Sequence, residues 1–212
     1  MQIGIVGKPN VGKSTFFSAA TLATVEIADY PFTTIKANRG VAYVRAKCPH
    51  VEFGMKCEPR NSACENGIRL VPVELLDVAG LVPDAWQGRG LGNKFLDDLR
   101  QADAFIHVVD ASGGTDTEGN KVPVGSHDPM VDIRFLEKEI TYWIKGIIEK
   151  GFNKMARQAQ IDGMKIEKAI QERLTGLGVT EANVVSALKE AALPENPMYW
   201  QDTEMIRLAD AI

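Results

Sequence analysis

Two short stretches of the chain carry residue types at spacings that could do chemistry. The first is Gly7-Lys8-Pro9-Asn10-Val11-Gly12-Lys13-Ser14, followed by Thr15. Two glycines separated by four residues, then Lys and a hydroxyl residue, fit the pattern of a phosphate-binding loop. Glycine lets successive backbone N–H groups face one concavity and approach phosphate closely. The helix expected from Lys13 adds the partial positive charge of its N-terminus. In such a loop Lys13 reaches the β- and γ-phosphates, and the Ser14 hydroxyl is placed to ligate Mg²⁺. The second stretch is Leu75-Leu76-Asp77-Val78-Ala79-Gly80-Leu81-Val82. Asp77 ends an apolar run, where open parallel sheets put their ligand-binding residues. Its carboxylate can hold Mg²⁺, directly or through water, while the Gly80 N–H faces the terminal phosphate. A Gly-rich turn that binds nothing and an Asp that caps a turn are the bland alternatives, and each weakens once the two stretches occur in one chain.

Further residues extend this chemistry. Thr33 and Thr34, in Tyr30-Pro31-Phe32-Thr33-Thr34, could complete a Mg²⁺ shell from a loop ordered by the γ-phosphate, although a Thr pair is also an ordinary turn former. Gly88, Gly90 and Gly92 surround Arg89 in a second candidate switch segment, for which a simple linker is the alternative. Many nucleotide hydrolases carry, directly after the Gly of the second stretch, a Gln that orients the attacking water. This chain has Leu81 there. Phosphoryl transfer needs a positioned water and neutralised oxygens; a backbone group, another side chain or the substrate itself could orient the water, and a second cation could supply the charge. Asn10 stands where a K⁺ ion could be held, with a plain turn residue as the competing reading. Cys48, His50, Cys57 and Cys64 form a C-x-H-x₆-C-x₆-C set that could bind Zn²⁺ through three thiolates and an imidazole. The spacing is not that of a common zinc module, and inert or disulfide-forming thiols are the alternative. His107 reads as a sheet-packing residue, and His127 carries no readable signal.

These residues need an alternating scaffold to position them. Residues 2–6 and 104–109 read as continuous apolar strands, 13–24 as a helix, and 39–45 and 69–76 as paired alternating strands flanking an insert at 46–68. Residues 25–38 read as a loop, 82–93 as a Gly-rich segment and 94–101 as a helix. The pattern predicts an α/β fold with a mostly parallel sheet flanked by helices. From about 129 to 193 the spacing turns helical throughout, predicting an inserted helical hairpin with a further helix at 181–192, and one more helix starts at 202. The expected division is 1–128, a helical insertion at 129–193, and a return to the first domain at 194–212.

The chain has 212 residues, 45% of them hydrophobic and 25% charged, with a net charge of −4. That balance gives no overall basic field for nucleic acid. Apolar runs are too short to span a bilayer and no leader pattern precedes the first strand, so a cytoplasmic protein without a membrane partner is expected. Three Cys residues fit a reducing compartment.

The stretches GIVGKPNVGKSTFF, YPFTTIKANRG and DVAGLVPDAWQGRGLGNKFLDDLRQADAFIHVVDAS resemble the Obg-like GTPases, closest to the Obg-like ATPase or YchF-type branch. The resemblance implies a P-loop G domain with a helical insertion, a C-terminal TGS domain, and a ribosome-associated partner. It implies phosphate binding by residues 10–15, Mg²⁺ ligation by Ser14 and Thr34, γ-phosphate sensing by residues 77–80, and a hydrophobic residue, Leu81, in place of Gln. Asn93-Lys94-Phe95-Leu96-Asp97 only mimics the family's base-recognition motif, having one residue too many in the wrong place. The motif itself and the TGS domain are expected beyond Ile212. The reading is therefore a Mg²⁺-dependent, slow hydrolase of GTP or ATP acting as a monomeric molecular switch. A P-loop phosphotransferase, or a partner-binding module with a structural nucleotide, are the competing functions.

Overall fold

The computed structural model describes residues 1–21, 38–81, 85–87 and 100–212. The chain forms two units, Met1–Arg134 and Phe135–Ile212.

In the first unit, β1 (Gln2–Val6), β2 (Asn38–Lys47), β3 (Ala63–Glu65), β4 (Ile68–Asp77) and β5 (Ala104–His107) build one sheet in the order β2-β4-β1-β5, with β3 also paired to β4. The apolar run QIGIV takes the centre, and Ile5 and Val6 are fully buried. β1 runs parallel to both neighbours, with Ile5 opposite Asp77 on one side and Val6 opposite His107 next to it. Three strands therefore end at one edge, and their exits at Gly7, Val78 and Val108 face the same side. Helix α1 (Lys13–Thr21) lays Phe17 onto Ile5, Val73 and Leu75 to form the core of this unit.

At the outer half of the sheet β2 and β3 both run antiparallel to β4. The cause lies in the insert, which joins β2 to β4 as a hairpin, and a hairpin can pair its strands only antiparallel. The insert also contributes the short helix α2 (Pro49–Phe53) and β3 itself. Asn38, at the end of the loop expected at 25–38, begins β2, while residues 25–37, with Thr33 and Thr34, and the segment 88–99, with Gly88, Arg89, Gly90, Gly92 and most of the expected helix 94–101, lie outside the described residues.

Helix α3 (Pro129–Glu149) starts in the first unit and continues into the second, which adds α4 (Phe152–Ile161), α5 (Ile166–Leu174), α6 (Glu181–Glu190) and α7 (Asp202–Ala211). Its core gathers Ile148, Phe152, Ile170, Leu174, Val184, Trp200, Met205 and Leu208. Phe152 and Trp200 stack with ring centroids 5.4 Å apart, and the Trp200 indole N–H donates to the Pro194 carbonyl at 2.7 Å. The Arg173 guanidinium covers the end of α3, donating to the carbonyls of Ile148 and Lys150. Residues 194–212 lie within the helical unit, where Trp200, Met205 and Leu208 fill its core. Among the described residues no helix is long and apolar enough to cross a membrane.

Candidate functional site

The phosphate loop leaves β1 at Gly7 and enters α1 at Lys13, as its sequence pattern requires. Gly7 has φ +144°, and a Cβ there would stand 2.4 Å from the Val108 carbonyl oxygen. Only glycine allows the loop to leave the sheet edge this close to the exit of β5. Gly80 is held by proximity instead, since its Cβ would fall 2.9 Å from the backbone and ring of Pro9. The Leu81 N–H donates to the Gly7 carbonyl at 3.1 Å, which ties the second stretch to the first.

Ser14 and Asp77 meet directly, the hydroxyl donating to carboxylate Oδ2 at 2.7 Å. Asp77 is fully buried, and among the described residues its Oδ1 has no donor in hydrogen-bond geometry. Burial pushes its carboxyl above the usual carboxylate range, against the opposing effects of Ser14, Lys13 and the Asn38 amide. An aliphatic hydroxyl and a carboxylate side by side, one carboxylate oxygen lacking a donor, form a hard oxygen donor set that suits Mg²⁺. Lys13 is buried as well, and its ammonium donates to the Lys8 carbonyl at 2.7 Å. Burial pushes the Lys13 amine down from 10.5 to about 8, while Asp77 draws it back up. Of the predicted Mg²⁺ ligands the structure thus brings Ser14 and Asp77 together, and Thr34 lies outside the described residues.

Two predicted residues turn out to have other roles for their side chains. Leu81 is 1% exposed, so its side chain fills the interior beneath the loop and offers nothing to a solvent-side water. Lys8 is 2% exposed, and its ammonium lies 2.8 Å from Asp132 Oδ2 and donates to the Thr115 carbonyl at 2.8 Å. The Lys8–Asp132 contact is a buried ion pair whose angle falls short of a hydrogen bond. Asp132 sits in the first turn of α3, where the helix dipole favours an acid, and receives His127 Nε2 on Oδ1 at 2.8 Å. Asn10, at φ +61°, donates its side-chain amide to the Gly119 carbonyl at 2.9 Å.

The loop at 110–128 therefore packs on Lys8 and Asn10, a role that no motif in the sequence marks. Asp110 organises this loop by accepting from the Ser112 hydroxyl (2.6 Å), the Thr115 hydroxyl (2.7 Å), and the N–H groups of Ser112 and Gly114. Asp-Ala-Ser-Gly-Gly-Thr is the one legible signal, an Asx-turn composition. Cys48, His50, Cys57 and Cys64 also come together, their donor atoms all within 4.8 Å, at the opposite end of the β2–β4 ladder.

Comparison with known proteins agrees with this geometry. The description "50S ribosome-binding GTPase" matches residues 2–138. The chain belongs to that GTPase family. Among its relatives, an uncharacterised GTP-binding protein of Methanocaldococcus jannaschii is 54% identical over 98% of this chain and 52% of its own length. The ribosome-binding ATPase YchF of Bacillus subtilis is 37% identical over 93% of this chain and 48% of its own. The crystal structure of a GTP-binding protein from Pyrococcus horikoshii OT3 has 44% identity and a TM-score of 0.79, covering all of this chain and 52% of that one. The YchF-type resemblance in the sequence of this GTPase-family chain is thereby borne out, as is the P-loop GTPase fold. The chain spans about half the length of the curated relatives it matches.

Two outcomes follow from the loop that covers Lys8. Asp132→Ala strands a buried ammonium and is expected to cost about 3–5 kcal/mol in urea unfolding, whereas Lys8→Met with Asp132→Leu together recovers most of that loss. Hydrogen bonds, the Ser112 and Thr115 hydroxyls first, pull the Asp110 carboxyl down from 3.8 to about 2. A carboxyl lowered on folding stabilises above its unfolded value and loses that contribution as pH falls through its folded one. The stability advantage over Asp110→Asn should therefore be complete near pH 5 and shrink towards pH 2, as read from urea midpoints at both ends of that window.

Proposed function

We propose that this chain binds and slowly hydrolyses a purine nucleoside triphosphate, GTP or ATP, in a Mg²⁺-dependent manner and works as a molecular switch on the ribosome. The observation that carries the proposal is the 2.7 Å bond between Ser14 and Asp77, made beside the buried Lys13 at the mouth of the phosphate loop. The names of the relatives support the nucleotide, and "ribosome-binding ATPase" supports the partner.

In this reading the backbone N–H groups of residues 10–15 receive the phosphate oxygens, helped by the N-terminus of α1. Lys13 pairs with the β- and γ-phosphates. Ser14 and Asp77, with Thr34, would hold Mg²⁺, which when bound supplies charge neutralisation between the phosphates. Gly80 presents its N–H to the γ-phosphate. Leu81 takes no part through its side chain, so the attacking water is oriented by backbone groups or by another side chain. Burial of Leu81 instead holds the chain ending at Gly80 in place against the loop, which a polar Gln could not do without burying an amide.

Asn10 carries the second part of the proposal. Its amide nitrogen is committed to Gly119, which leaves the carbonyl end of the same amide as the one able to face a monovalent cation. A K⁺ ion there would neutralise charge where other enzymes use an arginine.

Phosphate release from GTP and from ATP, measured on the purified protein, tests the first part. Lys13→Ala and Ser14→Ala should each lower turnover by about a hundredfold or more. Turnover that survives both substitutions rules out this site, and transfer to an added small-molecule acceptor in preference to water marks a phosphotransferase. For the cation, rates in K⁺ should exceed those in Na⁺ at equal ionic strength, and equal rates refute the role given to Asn10.

A further inference from the structure

The insert between β2 and β4 poses a problem of stability. From residue 49 to residue 67 no residue is fully buried. Val51, Phe53 and Met55 are 50%, 70% and 68% exposed, α2 has five residues and β3 has three. A segment this small and this exposed cannot be held by apolar burial, and small folds of this kind need a covalent or metal staple. The insert is nevertheless regular. Cys48 caps the start of α2 and donates its N–H to Gly67 at 2.8 Å, and Gly54 turns the chain at φ +61° with its N–H on the His50 carbonyl. Loop residues then bring Cys57 back, and β3 presents Cys64.

The four side chains these elements deliver meet at one point. Cys48 Sγ lies 3.7 Å from Cys57 Sγ, and Cys64 Sγ lies 3.8 Å from His50 Nδ1. All four donor atoms fall within 4.8 Å of one another, and the three cysteines are free thiols. A disulfide would require about 2.05 Å between sulfurs. Around a tetrahedral zinc with bonds of about 2.3 Å to sulfur, neighbouring sulfurs stand about 3.8 Å apart. The Cys48–Cys57 and Cys64–His50 separations are close to such tetrahedral edges, and the whole set lies within 4.8 Å.

We propose that Cys48, His50, Cys57 and Cys64 form a structural Zn²⁺ site that staples the insert. Three thiolates and an imidazole close a tetrahedral shell, leaving no position for water or substrate, so the ion holds structure and does no chemistry. The charge balance supports it. Three thiolates on a divalent cation leave one excess negative charge, and the Arg69 guanidinium sits on the sulfurs, donating to Cys48 Sγ at 3.3 Å and reaching Cys57 Sγ at 4.0 Å. The Arg69 side chain is itself fixed by the Ser62 hydroxyl at 2.9 Å.

The site is separate from the phosphate loop. Lys47 pairs with Ile68 at the insert end of the ladder and Asn38 with Asp77 at the other, about 30 Å away at the usual rise per residue. Zinc content of the purified reduced protein tests the proposal, measured by plasma mass spectrometry with and without prior mercurial titration of the thiols. One zinc per chain is expected, released by the mercurial. Cys57→Ser and Cys64→Ser should each abolish it, and His50→Ala should weaken zinc at least tenfold. If the variants fail to fold, the unsubstituted protein still decides. Refolded with Co²⁺ in place of zinc, it should show the intense visible bands of tetrahedral cobalt thiolate. The proposal fails if the protein refolded with zinc retains none, if all three thiols react freely with a disulfide reagent in its presence, or if octahedral cobalt bands appear.

Discussion

The buried ion pair of Lys8 and Asp132 sets the terms for the rest of the site. A phosphate loop must aim its backbone N–H groups inward, which turns its side chains outward and obliges them to find partners elsewhere. An ammonium with no access to water is tolerated only beside an opposite charge. Asp132 supplies that charge from the first turn of α3, His127 holds Asp132, and Asp110 shapes the loop whose Thr115 carbonyl takes the remaining bond from Lys8. The loop's conformation is thus set jointly by its own glycines and by residues more than a hundred positions downstream. Asn10 on Gly119 and Leu81 on Gly7 add two further ties of the same kind.

What the sequence made legible follows from where the chemistry resides. Gly7, Gly12, Lys13 and Ser14 act through one contiguous turn of backbone, so their spacing alone identifies them. Asp77 is legible because it ends an apolar strand, and a strand end is a defined place in a parallel sheet. Lys8 gave no sign of its partner, since nothing local to either residue requires the other. Leu81 stood out because it occupies a position where other nucleotide hydrolases carry Gln, and its apolar character matches its burial. Trp200, Met205 and Leu208 gave no sign of the core they fill, for a related reason. Amphipathic spacing reveals that a helix has a buried face but does not say which core receives it.

The hairpin insert illustrates the limit from the other side. Periodicity found both of its strands and nominated them as partners, but periodicity by itself says nothing of what the insert between them does. The Cys and His residues within the insert are spaced irregularly along the chain, because a helical turn, an open loop and a short strand each contribute donors. Convergence in space is a property of that particular path and not of the spacing.

The position of β1 has a consequence for how the chain is made. Among the described strands β1 comes earliest in the sequence, and it lies inside the sheet, with β4 on one side and β5 on the other. It cannot be paired on both edges until residue 107 exists, so during synthesis an apolar strand waits with open hydrogen-bonding edges. The contacts of the helical unit join segments nearer in sequence, and pairings of low sequence separation form faster than parallel, long-range ones. Among the described strands, the one that carries the phosphate loop therefore waits longest for its partners, and it is the segment that most needs shielding from edge-to-edge association.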